Sequence, residues 1–134
     1  TQNENICVAL DLTEEWEKAS ADGDTKATLI TGVVIARNDF IEAHPDAVET
    51  FLQQYEASVN YVNDNVADAA VLVGNYDIVA AQVAEKAIPE CNITFIAGND
   101  MKAKLSSYLG ILFEQNPAAV GGALPNDDFY YNAD

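Results

Sequence analysis

The chain has 134 residues, enough for one compact domain or part of a larger one, and 49% of them are hydrophobic, which argues against wholesale disorder. Its formal net charge is -16, from 22 Asp and Glu against 6 Lys and Arg. That balance argues against nucleic acid, whose phosphates need cationic partners, and against anionic membrane surfaces.

The first element in chain order is residues 6–12, ICVALDL, which reads as a short buried strand. A helix is expected next, with Thr13 as its cap and Glu14 and Glu15 suiting the positive end of the helix dipole. Residues 21–26, ADGDTK, have turn composition. Residues 27–36, ATLITGVVIA, make the best strand in the chain, with Gly32 inside it as a bulge or a point of close approach.

At 37–52, RNDFIEAHPDAVETFL, a helical pattern is interrupted by His44-Pro45. Proline lacks an N–H and disfavours helical dihedrals in the residue before it, yet suits the first turn of a new helix. A short turn of helix over 39–43 is therefore expected, with Pro45 opening a longer one. Along that helix Val48, Phe51, Leu52, Tyr55, Val59, Val62 and Val66 recur at steps of three and four, which puts Phe51 at the centre of a buried stripe. Residues 67–75 form a short helix stopped by Gly74 and Asn75, and Asp77 can cap an alanine-rich helix over 78–88, ended by Pro89. Residues 91–98 should be extended. Asn99 or Asp100 then caps a helix with Met101, Leu105, Tyr108, Leu109, Leu112 and Phe113 on one stripe, stopped at Asn116-Pro117. The tail reads as a loop, with Phe129, Tyr130 and Tyr131 strapped over helices. No internal repeat is present.

Few residues suggest chemistry. His44, the only histidine, could act as a general base, but a helix-junction role is preferred. Asp11, Glu14 and Glu15 follow a predicted strand, where ligands sit in open α/β sheets, so Asp11 is a candidate ligand contact. Trp16 could stack on a ligand or pack in the core. Thr31 and Gly32, polar and small within a strand, would let a ligand approach. Cys7 and Cys91 have no metal-ligand spacing; two buried thiols are preferred over a disulfide. Asn92-Ile93-Thr94 fits an N-glycosylation acceptor. No phosphate loop, zinc spacing or nucleophile elbow occurs, and no catalytic residue, metal or cofactor is expected. No apolar run approaches the roughly 18 residues of a membrane span. The N-terminus lacks a signal-peptide pattern, so the protein is cytosolic or the chain starts downstream of its signal.

One ordered series carries a resemblance. It runs from the apolar stretch Val33 to Ala36 through Arg37, Asp39-Phe40 and His44-Pro45 to Val48 and Phe51-Leu52. The chain thereby resembles the solute-binding proteins of ABC importers in the nitrate, sulfonate, taurine and thiamine-pyrimidine group. NDNVADAAVLV resembles the next segment of that family. ALDLTEEW lies where members carry tryptophan-aspartate-proline; Asp11 matches the aspartate, and Leu12 stands in place of the proline. The similarity spans residues 6–114.

The resemblance implies an α/β fold, the C-terminal portion of a periplasmic-binding-protein-like type II architecture, helix-rich with two or three short strands. Residues 1–36 would end the second lobe and provide a crossing strand, and 37–134 would form the helical part of the first lobe. It implies a non-enzymatic, extracytoplasmic protein, periplasmic or lipid-anchored, that captures a small solute for a membrane permease. Of the ligand-contact candidates Asp11, Trp16, Thr31 and Gly32, the resemblance matches Asp11, and it places most of the family's ligand contacts in parts outside this chain. Two other readings stay open: a thiamine-pyrimidine synthase-like enzyme, and a stand-alone acidic interaction domain. The apolar strands are expected to need neighbours, supplied by a missing N-terminal portion or a strand-mediated dimer.

Overall fold

A computed structural model describes residues 5–20 and 27–132. The expected α/β architecture does not form: the described residues contain six α-helices and no strand. They divide into two compact units, Thr1–Val34 with Ala97–Asp134, and Ile35–Ile96. The predicted turn at 21–26 lies outside the described residues.

In the first unit, residues 6–11 are irregular and lead into α1, Leu12–Ser20. The cap is Asp11 rather than Thr13. Its Oδ1 accepts from the backbone N–H of Thr13 at 2.8 Å and of Glu14 at 3.1 Å, which satisfies two donors that a helix start leaves unpaired. Residues 27–37 are also irregular, so neither predicted strand forms. The physical reason is pairing: a strand is stable only when a neighbour accepts its backbone ladder and covers its side chains, and β-rich composition measures fit to such a neighbour. Here Val8 is 79% exposed and Ile35 83%, and Leu10, Val33 and Val34 are also open.

The longest helix of this unit is α6, Gly98–Gln115. Neither predicted cap serves it: its N-cap is Ala97, without a side-chain bond, while Asn99 Oδ1 accepts from Asn132 Nδ2 at 3.3 Å. Its stripe of Met101, Leu105, Tyr108, Leu109, Leu112 and Phe113 is half-buried throughout. Asn116 stops the helix as expected, and its side chain accepts from Ala118 N–H at 3.2 Å to start a 3-10 turn over Pro117–Val120. Past a second 3-10 turn, Asp127–Phe129, the tail lies on α6. Lys102 Nζ is 2.9 Å from Asp127 Oδ1 and 6.0 Å from the ring centroid of Tyr130, which is 8% exposed. The strap therefore holds through Tyr130, while Phe129 remains open to solvent.

The second unit opens with α2, Asn38–Ala43, and breaks at His44, whose φ of -137° and ψ of 52° are not helical. Pro45 then occupies the first turn of α3, Pro45–Asp64, as its missing N–H favours. The stripe that follows is not one uninterrupted helix. Asn65, at φ -132° and ψ 52°, ends α3 with its Nδ2 donating to the Tyr61 carbonyl at 3.1 Å, and α4, Val66–Asn75, begins beyond it. Only Val48 and Val59 of the stripe are buried; Phe51, expected at its buried centre, is 45% exposed and stacks on the exposed Tyr55 at 5.6 Å.

The packed centre of this unit lies between α4 and α5, Ala81–Ala87. Ala69, Ala70 and Ala84 are buried with Ile88, and Val62, Val66, Val73 and Ile93 pack around them. Alanines let the helices approach closely. At Gly74 a Cβ would sit 3.1 Å from Ala81 Cβ and 3.2 Å from Ala81 N, so glycine is used there for proximity. Asp77 is not the expected cap: it takes a left-handed φ of 54° in the α4–α5 connection, and α5 starts four residues later. Ile88–Glu90 continues as a 3-10 turn with Pro89 in it. Cys7 in the first unit and Cys91 in the second are free and exposed, where buried thiols were expected.

Candidate functional site

The four residues proposed as ligand contacts all belong to the first unit. Asp11 is exposed, and one of its carboxylate oxygens is engaged at the start of α1. Trp16 is committed to structure: its Nε1 donates to the Ala27 carbonyl at 3.1 Å, and its ring lies 5.2 Å from that of Tyr108, tilted by 43°. Ser20 Oγ reaches the same carbonyl at 3.5 Å, so Ala27 is pinned against α1 from two sides. Thr31 and Gly32 are exposed in irregular backbone, and no atom lies within 4 Å of where a Gly32 Cβ would be. The close approach expected at Gly32 is thus not made within the described residues. No hydrogen bond or ring contact joins any of the four to another among those residues.

The second unit carries the more concentrated chemistry, at the junction of α2 and α3. Arg37, Asp39, Phe40, Ala43 and His44 line an open depression of about 380 Å³. Its geometry follows from the helix break. Arg37 caps the start of α2 and its Nε donates to Asp39 Oδ1 at 2.9 Å, with a second bond from Nη2 to Oδ2. One turn on, the non-helical His44 lets its ring sit 4.9 Å from that of Phe40. The chain's single arginine thus faces one carboxylate in a paired, two-bond contact beside an aromatic-imidazole pair. Such an arrangement can order a helix start. All its polar groups are exposed, so solvent screens the ion pair strongly.

The sequence singled out Arg37, Asp39, Phe40 and His44 as members of an ordered series, and the break at His44-Pro45 was the signal that brings them together. The packing of Tyr108 on Trp16 had no local signal, because the two residues are far apart in the chain. Among the described residues no group of three or more His, Cys, Asp or Glu side chains could hold a metal ion. No described helix is long and apolar enough to cross a membrane. Comparison with known protein families, with curated proteins and with solved structures finds no match to this chain.

Proposed function

We propose that this chain is part of the solute-binding component of an ABC importer, a non-enzymatic protein that captures a small solute outside the cytoplasm and hands it to a membrane permease. The observation that carries the reading is the exposure of Val8, Leu10, Val33, Val34 and Ile35 on irregular backbone. Aliphatic side chains gathered in two uncharged segments mark surface meant to be covered. Burying a valine, leucine or isoleucine side chain fully is worth roughly 1.5–3 kcal/mol, so covering what these five leave open favours a partner surface by several kcal/mol. We take the cover to be further polypeptide of the same binding component.

The resemblance supplies the rest of the reading. The series from Arg37 to Leu52 folds as a short helix, a break and a long helix, while the strand that opens the family's series does not form at Val33 to Ala36. In this reading α2 and α3 are scaffold, and closure of the whole protein about its solute is the working motion.

The test is a thermal-shift screen of the protein in its natural full length against nitrate, alkyl sulfonates, taurine and aminopyrimidines. A solute that binds the folded state alone adds about 2.7 kcal/mol of stability at one hundred times its Kd, a readily measured rise in Tm. Stabilisation by one class, with the solute recovered unchanged, is the expected result. A flat response across the panel, or conversion of any of these compounds, overturns the reading.

A further inference from the structure

The turn that leaves the 3-10 segment Ile88–Glu90 contains Glu90, Cys91, Asn92, Ile93 and Thr94. Glu90, Asn92 and Thr94 are exposed, and Ile93 between them is half-buried. Ile93 anchors the turn: its side chain packs on the cluster of Ala69, Ala70, Ala84 and Ile88, and its carbonyl accepts from Asn63 Nδ2 at 2.9 Å. Asn92 has a φ of 50°. Asparagine tolerates that left-handed conformation better than most residues, and this alone would account for an asparagine at 92. It does not account for the exposed hydroxyl of Thr94 two residues on, or for the exposed carboxylate of Glu90 two residues before. Neither the Asn92 amide nor the Thr94 hydroxyl has a hydrogen-bond partner among the described residues.

We propose that Asn92 is an N-glycosylation site, receiving an oligosaccharide from a lipid-pyrophosphate donor. Asn-Ile-Thr is the acceptor pattern, with a middle residue other than proline. Glu90, two residues before the asparagine, is likewise exposed and leaves the approach to the amide open. In the transfer, Asn92 Nδ2 attacks the anomeric carbon at the reducing end of the glycan. A C–N bond forms as the C–O bond to the lipid pyrophosphate breaks; the pyrophosphate leaves with the bonding pair and takes up the proton that the amide loses. Nothing is oxidised or reduced. The fold accommodates the product because the amide is exposed while the neighbouring Ile93 keeps the turn in place, so no core contact is displaced. The inference rests on the extracytoplasmic reading above, since the donor and its transferase face that compartment.

The test is export of the full-length protein, behind a cleavable signal, in cells carrying an oligosaccharyltransferase and its lipid-linked donor. Intact mass is read on the signal-cleaved fraction before and after glycosidase treatment. The expected result is one added glycan that Asn92→Gln and Thr94→Ala both abolish and that Thr94→Ser and Cys91→Ser both retain. An unmodified signal-cleaved chain, in cells that modify a control acceptor, overturns the proposal. So does a glycan that survives Thr94→Ala. Solute binding is scored separately on unmodified protein, so failure here and failure of the transport reading are distinguishable.

Discussion

Ile88→Ala should be the most damaging single truncation in the second unit. Ile88 is 7% exposed and closes the cluster formed by Ala69, Ala70 and Ala84. The substitution removes three carbons; at about 0.8 kcal/mol per buried methylene the transfer cost is roughly 2.4 kcal/mol. A cavity cost adds to it, because the surrounding side chains cannot fill the space: alanines have nothing to extend, and α4 and α5 already touch at Gly74 and Ala81. The expected loss is about 3–4 kcal/mol, in the middle of the usual range for isoleucine truncation. Phe51→Ala serves as the internal comparison. Its ring is larger but 45% exposed, so about half of the ~3–5 kcal/mol of a buried phenylalanine is at stake, roughly 1.5–2.5 kcal/mol. Urea unfolding followed by far-ultraviolet circular dichroism gives both values, provided the slope m is unchanged. A smaller loss for Ile88→Ala than for Phe51→Ala would refute the placement of the packed centre between α4 and α5.

Asp11→Ala should cost about 1 kcal/mol through loss of the α1 cap, and Thr13→Ala a few tenths; a larger loss for Thr13→Ala than for Asp11→Ala would return the cap to Thr13. Gly74→Val should destabilise by roughly 1–3 kcal/mol, because the added carbons meet the backbone of Ala81 and α5 must move; an unchanged urea midpoint would show that α5 yields freely. His44→Ala should leave solute affinity of the full-length protein unchanged, since its ring contact is to Phe40; a tenfold fall in affinity at constant stability would instead make the α2–α3 depression the binding site.

The helices were legible because their signals are local. Pro45 after His44 specifies a break and a start within two residues, and the 3.6-residue period of Val48, Leu52, Val59 and Val62 identifies the inward side of α3. Even so, the stripe did not reveal the break at Asn65, because Asn65 bonds back to Tyr61 without interrupting the apolar spacing. The strands were misread for a non-local reason. Residues 6–12 and 27–36 have the right composition, but nothing in a run of valine and isoleucine says whether a pairing neighbour exists. Caps misled by two to three positions: both Asp11 and Thr13 offer an oxygen, and only backbone geometry decides which one reaches the free N–H groups. Of the candidate site, Asp11, Thr31 and Gly32 were chosen on the assumption of strands, so without strands the reason for grouping them falls away; Trp16 was chosen as an aromatic that could stack, and it packs on Tyr108.

Cys7 and Cys91 are the chain's two thiols, both open to reagents, and one belongs to each compact unit. Nature has thus supplied the attachment points for a molecular ruler. Paired spin labels or a donor and acceptor dye, coupled to the unaltered protein, would report the separation of the two units and its distribution without a single engineered residue. The same measurement repeated with and without a stabilising solute would convert hinge closure from an assumption into a distance.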